Sequence, residues 1–203
     1  MPRPPINPRP IDWSGENPGI TLKASPDGET TCLVSFFRVV VSPHGSGHAV
    51  FLLTDPSGRG DGEQVNACFT DNEPLARYLL RDFVAHFGTW KGNPNLADLA
   101  FRPADSFTHS GDHLTAWTER VSGPDVDVTL TWSDFADPFV VEYTSKEQSA
   151  TGAHEMFSLF VPARRAEVVA NGVRGRGEPG PRDMAGTPSS TAFLAFSETW
   201  IKA

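Results

Sequence analysis

Cysteine is scarce. Cys32 and Cys68 are the only two in 203 residues, too few for a disulfide scaffold. Both sit inside apolar, strand-like segments, as reduced thiols packed like small hydrophobes do. Long apolar runs are also missing. The longest, LVSFFRVVV over 33–41, is interrupted by Ser35 and Arg38, and nothing approaches the ~18–20 apolar residues of a membrane span. The N-terminal MPRPPINPRPIDWSGENPG has no apolar core and no small-residue cleavage site, so it does not read as a secretory signal. A soluble, cytoplasmic protein is expected. Positive charge is short as well: 17 Lys and Arg against 25 Asp and Glu give a net charge of −8. Such a chain is repelled by phosphate backbones, which disfavours nucleic-acid binding. Nucleophile and phosphate motifs are absent. Gly45-Ser46-Gly47 is not a G-x-S-x-G elbow. GVRGRGEPG lacks the strand–loop–helix frame of a Walker or Rossmann loop.

Bulky side chains, by contrast, are plentiful. Fourteen Phe and five Trp are enough for a core, while 18 Gly and 18 Pro point to many turns and few long helices. No polar linker or repeat divides the chain, so one domain over 20–203 is expected. Residues 1–19, with Pro at 2, 4, 5, 8, 10 and 18, read as an extended arm that cannot join a sheet interior. Trp13 would anchor that arm, and PPINPRP (4–10) has the spacing of a PxxP-type ligand.

The body alternates short β-branched and aromatic segments with turn formers. Strands are expected over 19–24, 30–41, 49–54, 64–70, 114–121, 126–132, 139–143, 155–161, 167–173 and 190–201. The segments 155–161 and 167–173 look like a pair joined across PARR. A long Gly/Pro loop is expected over 172–189. One segment breaks the pattern. Leu75, Leu79, Phe83 and Phe87 recur every fourth residue, with Leu80 and Val84 beside them, so a single amphipathic helix is predicted over about 73–87. Thr70 or Asn72 would cap its start and Gly88 its end. The fold class is therefore mainly β: an antiparallel barrel or sandwich of roughly ten strands carrying one helix, mostly in meander order. It resembles the small lipocalin-like ligand-binding barrels in shape alone, with no motif behind the likeness.

Candidate chemistry rests on a few side chains. His44-Gly-Ser-Gly-His48 and His109-Ser-Gly-Asp-His113 each space two imidazoles by three residues, in segments that read as loops. If the two loops meet at a barrel rim, four imidazoles and Asp112 would make a metal site. Glu119, Glu142 and Glu198 lie in strand-like segments. A carboxylate facing inward would have a raised pKa and could pair with Arg38 or Arg120. Alternation puts Glu198 on one face with Leu194, Phe196 and Trp200. Arg164, Arg165, Arg174, Arg176 and Arg182 form the one basic stretch, suited to an anionic ligand or a lid. The leading expectation is a small-molecule binding protein. An apolar or amphipathic ligand would sit in a barrel cavity lined by Arg38, Trp117, Glu119, Trp132, Phe196, Glu198 and Trp200, with Phe37 and Phe51 as further aromatics. The alternative is a metal-dependent hydrolase or isomerase using His44, His48, His109 and His113. The expected partner is that small molecule, not nucleic acid or a membrane, with a homodimer allowed.

Overall fold

The computed structural model describes residues 9–59 and 63–203, so most of the PPINPRP run lies outside the described residues. In chain order the elements are β1 (Ile11–Glu16), β2 (Gly19–Lys23), β3 (Thr30–Val41), β4 (Gly47–Leu53), β5 (Asn66–Thr70) and α1 (Glu73–Asp82). Next come β6 (Ala100–Pro103), β7 (Ser106–Gly111), β8 (Ala116–Gly123), β9 (Val126–Phe135), β10 (Phe139–Tyr143) and β11 (His154–Ala170). The chain ends with β12 (Val173–Arg174), β13 (Glu178–Pro179), β14 (Pro181–Met184), β15 (Thr187–Ser190) and β16 (Ala192–Lys202). The main sheet runs β6-β5-β4-β3-β1-β16-β11-β9-β8-β7, and β14 and β15 form a separate hairpin. Among the described residues every strand pair is antiparallel except β5 with β6, so the sheet is mixed. No helix among them is long and apolar enough to cross a membrane.

Residues 11–16 are not an external arm. β1 pairs with β16 on one edge and β3 on the other, at the centre of the sheet. The prolines allow this because Pro10 precedes β1 and Pro18 falls in the bend before β2, so neither removes a donor from a ladder. Trp13 does anchor the segment. It is fully buried, edge-on to Phe37 at 5.4 Å and to Phe83 at 5.8 Å.

The segments 155–161 and 167–173 are likewise not a hairpin pair. They belong to one 17-residue strand, β11. Pro162 is tolerated because β11 changes neighbour there: β10 pairs with 156–160 and β9 with 163–170. The Pro162 carbonyl accepts from Ala136 N–H on that edge, so the missing donor faces the gap and the ladder to β16 is kept. The expected loop over 172–189 contains four short strands, β12 to β15. Two further strands, β6 and β7, occupy a region that read as loop.

Alternation along the strands builds two cores. Ile20, Val34, Phe36, Leu52, Phe69, Leu130 and Trp132 fill the concave side. Trp13, Phe37, Phe51 and Trp200 face the convex side, where α1 covers them with Leu75 and Leu79. Each such fully buried side chain contributes about 1.5–3 kcal/mol. α1 begins as expected, with Asn72 Oδ1 accepting from Leu75 N–H at 3.1 Å. It stops short of 87 because Phe83 leaves helical geometry, with φ at −130°, and its ring packs against Trp13 and Trp200. Short 3-10 turns carry the chain onward.

The sheet curls until its two ends meet through the chain itself. Between β6 and β7, Ala104 N–H donates to Thr70 O at 3.0 Å and Asp105 N–H to Ser122 O at 2.8 Å. No ladder joins β6 to β7, so this is a curled sheet and not a closed barrel. Its concave side is packed with side chains where a lined cavity was expected. Cys32 belongs to the concave core and Cys68 to the convex one, so the sheet itself separates these two free thiols. Burial pushes the Cys32 thiol up to about 12.

Backbone approaches closely at Gly15, where a Cβ would lie 2.0 Å from the Arg38 carbonyl oxygen. Gly15→Ala is expected to cost about 1–3 kcal/mol through overpacking. Urea unfolding would show this as a lower midpoint at unchanged slope. An unchanged midpoint would show that β1 and β3 do not approach this closely.

Candidate functional site

Register at one mouth of the curled sheet brings charged side chains together. Glu16 on β1, Arg38 on β3 and His48 on β4 form one cross-strand row. His109 on β7 and Glu119 on β8 form another. Arg38 joins the two rows: Nη1 donates to Glu16, and Nη2 donates to Glu119 Oε2 at 2.8 Å. The other Glu119 oxygen accepts from Trp117 Nε1 at 2.8 Å. The Glu119 side chain has no solvent exposure, whereas Arg38 keeps 19%. Burial raises the Glu119 carboxyl above the usual glutamate range, and the Arg38 and Trp117 hydrogen bonds only partly offset that rise. Burial alone would lower the Arg38 pKa, but the two carboxylates outweigh it and hold the guanidinium firmly charged.

Aromatic rings surround this pair. Phe36 lies under the guanidinium at 5.2 Å. His109 stacks on Trp117 at 4.6 Å, His48 stacks on Phe107 at 4.5 Å, and Phe196 meets Trp117 edge-on at 5.6 Å. Trp117, Phe107 and Phe196 are only half-buried. Beside the mouth, a groove of about 660 Å³ is lined by Arg38, His48, Asp71, Asn72 and Glu73. Its size is in the range of small-molecule sites, about 300–1,000 Å³.

The structure thus gathers Arg38, Trp117, Glu119 and Phe196 and separates the other expected site residues. Trp132 faces the same side but lies deep in the core, its Nε1 donating to Gly19 O at 3.0 Å. Glu198 and Trp200 are on the opposite face. Ser197 adopts φ +52°, and Leu159 pairs with Phe196 while Phe157 pairs with Thr199. One residue of β11 therefore opposes two of β16, and this bulge inverts the alternation after Phe196. Phe37 and Phe51 also face the helix side.

The four histidines do not converge. The His44 ring packs against Tyr78 at 4.8 Å and His113 lies exposed in the β7–β8 turn. His48 and His109 are strand residues, each stacked on its own aromatic partner. Among the described residues, no three or more His, Cys, Asp or Glu side chains are grouped to hold a metal ion. The basic stretch is dispersed too: Arg164 pairs with Asp134 at 3.1 Å and Arg174 with Glu167 at 2.8 Å. Glu142 is exposed. Three contributors escaped sequence reasoning. Glu16 lay in the supposed arm, Phe107 between the expected strands, and Asp71 between the two candidate helix caps without a role of its own.

Glu198 is a second buried glutamate. Its Oε1 accepts from Trp200 Nε1 at 2.7 Å. Burial raises it from the ordinary glutamate value near 4.5 to about 7, against the opposing pull of the Trp200 N–H and the Arg182 charge. The unfolded chain ionises first as pH rises, so this group favours the folded state below pH 4.5 and loses that contribution as pH climbs to about 7. The loss is on the order of 3 kcal/mol. Glu198→Gln is expected to gain stability relative to the parent between pH 5 and 8, measured by urea midpoints. A pH-independent difference would contradict this. No family model matches the chain, and no curated protein and no solved structure matches it.

Proposed function

We propose that the protein binds a small amphipathic molecule at the mouth of the curled sheet. Its apolar body lies on Phe107, Trp117 and Phe196, and its polar head meets the Arg38–Glu119 pair. One observation carries this reading: partly exposed aromatic rings surround a carboxylate with no solvent exposure. Removing such a charge from water costs several kcal/mol, and hydrophobic residues of similar volume often stabilise a core as well or better. Stability alone therefore does not call for the pair, which supports a role in orienting a ligand. The ligand moves from the closed cavity expected of a barrel to the rim, because the concave interior is already filled. Two buried, free thiols suit the cytoplasm as the compartment.

The test is a titration of tryptophan emission with aromatic and medium-chain ketones, alcohols and amines. At least one ligand is expected to quench or shift the emission, and Trp117→Phe should remove the change. Arg38→Met should weaken binding about tenfold, equivalent to ~1.4 kcal/mol. No spectral response to any ligand, or an equal response in the Trp117→Phe variant, would sink the reading.

A further inference from the structure

Two Asp–His pairs occur among the described residues, and their surroundings differ. His154 Nε2 lies 2.8 Å from Asp12 Oδ2 and its Nδ1 lies 2.8 Å from Thr151 Oγ1. Both ring nitrogens are engaged, the residue is buried, and Phe83 and Trp200 enclose the ring. That pair staples β1 to the start of β11. His48 is arranged otherwise. Its Nδ1 lies 2.7 Å from Asp71 Oδ2, and its backbone N–H donates to Asp71 Oδ1 at 2.6 Å. Nε2 has no hydrogen-bond partner among the described residues, and His48 lines the 660 Å³ groove. A carboxylate can only accept, so in the neutral ring Nδ1 carries the proton and Nε2 the lone pair.

Arg38 is the direct cross-strand neighbour of His48 and lines the same groove. Side chains so paired start about 5 Å apart. The guanidinium commits N–H groups to Glu16 and Glu119, two of the five that a guanidinium carries. A base therefore stands beside an oxyanion-stabilising donor at the edge of one concavity.

We propose that His48 is a general base acting on a carbonyl compound with a hydrogen on the adjacent carbon, Arg38 holding the charge that develops on the carbonyl oxygen. The C–H bond breaks and its proton goes to His48 Nε2. The C–H electron pair forms the carbon–carbon double bond of an enolate, while the carbonyl π pair moves to oxygen, facing Arg38. The same proton, or one exchanged with water, returns to carbon. No oxidant or other reactant is consumed. Asp71 is a positioning residue that fixes the tautomer and opposes the imidazolium charge. The inference rests on the ligand-binding reading only for the seat of the substrate's apolar body.

Phenylacetone is the probe, because it joins an aromatic ring to an acidic methylene beside a ketone. The full chain is incubated with it in deuterium oxide and loss of the methylene proton signal is followed by NMR. General-base catalysis is expected to accelerate exchange about a hundredfold or more over buffer. His48→Gln should return it to the buffer rate at an unchanged circular dichroism spectrum. Asp71→Asn should slow exchange at least tenfold while phenylacetone still quenches Trp117, a split that a purely structural carboxylate would not produce. It also stands as the second variant if His48→Gln does not fold. His113→Gln, in the exposed turn, should exchange like the parent. Parent exchange at the buffer rate, or unaltered exchange in the His48 variant, overturns the proposal. Quenching without exchange removes the base and leaves the binding reading standing. Exchange without quenching supports the base and removes the aromatic mouth as the seat of this substrate.

Discussion

β1 is bonded along both edges, to β3 and to β16, and the other parts of the sheet are placed relative to that double pairing. β2 makes the same two connections further along, to β3 and to β16, so β1 and β2 together join β3–β4–β5 to β16, β11 and the strands beyond. The pairing brings the N-terminal and C-terminal strands together at the sheet centre, where Trp13 packs with Phe37, Phe83 and Trp200. It also sets Glu16 opposite Arg38. One non-local contact thus closes the convex core and starts the polar row at the mouth.

The mouth is a consequence of register. Cross-strand partners share a face, so the ladders from β1 through β3 to β4 fix Glu16, Arg38 and His48 side by side. The ladder from β7 to β8 does the same for His109 and Glu119. Curling of the sheet then brings the two rows together until Arg38 bonds both Glu16 and Glu119. The aromatic rings complete the arrangement: they limit water around the charges and stay partly exposed themselves.

Much of the fold was legible in the residues. The period of four from Leu75 to Phe83 located the helix, and of the two caps offered, Thr70 and Asn72, the structure uses Asn72. The alternation of Val126, Val128, Leu130 and Trp132 located β9 and its buried face. Glu119 and Arg38 were identifiable as inward candidates because both interrupt apolar strands. The errors share one cause. Pro162 read as a break, yet it sits where β11 exchanges β10 for β9. Glu198 and Trp200 were assigned by strict alternation, which a single residue at φ +52° inverts. The proline-rich start read as an arm because proline content does not reveal that Ile11–Glu16, between Pro10 and Pro18, form a strand with partners on both edges.

The sequence by itself determined the class of structure and which side chains are too costly to bury without partners. These follow from local period, turn chemistry and desolvation, which act over a few residues. The tertiary structure decided which of those side chains meet. Arg38 and Glu119 are 81 residues apart, and His48 and Asp71 are 23 apart. Their encounters depend on strand order, on register and on the curl that joins the two ends of the sheet. Those are properties of the whole packed chain, because a one-residue slip in any ladder moves a side chain to the opposite face.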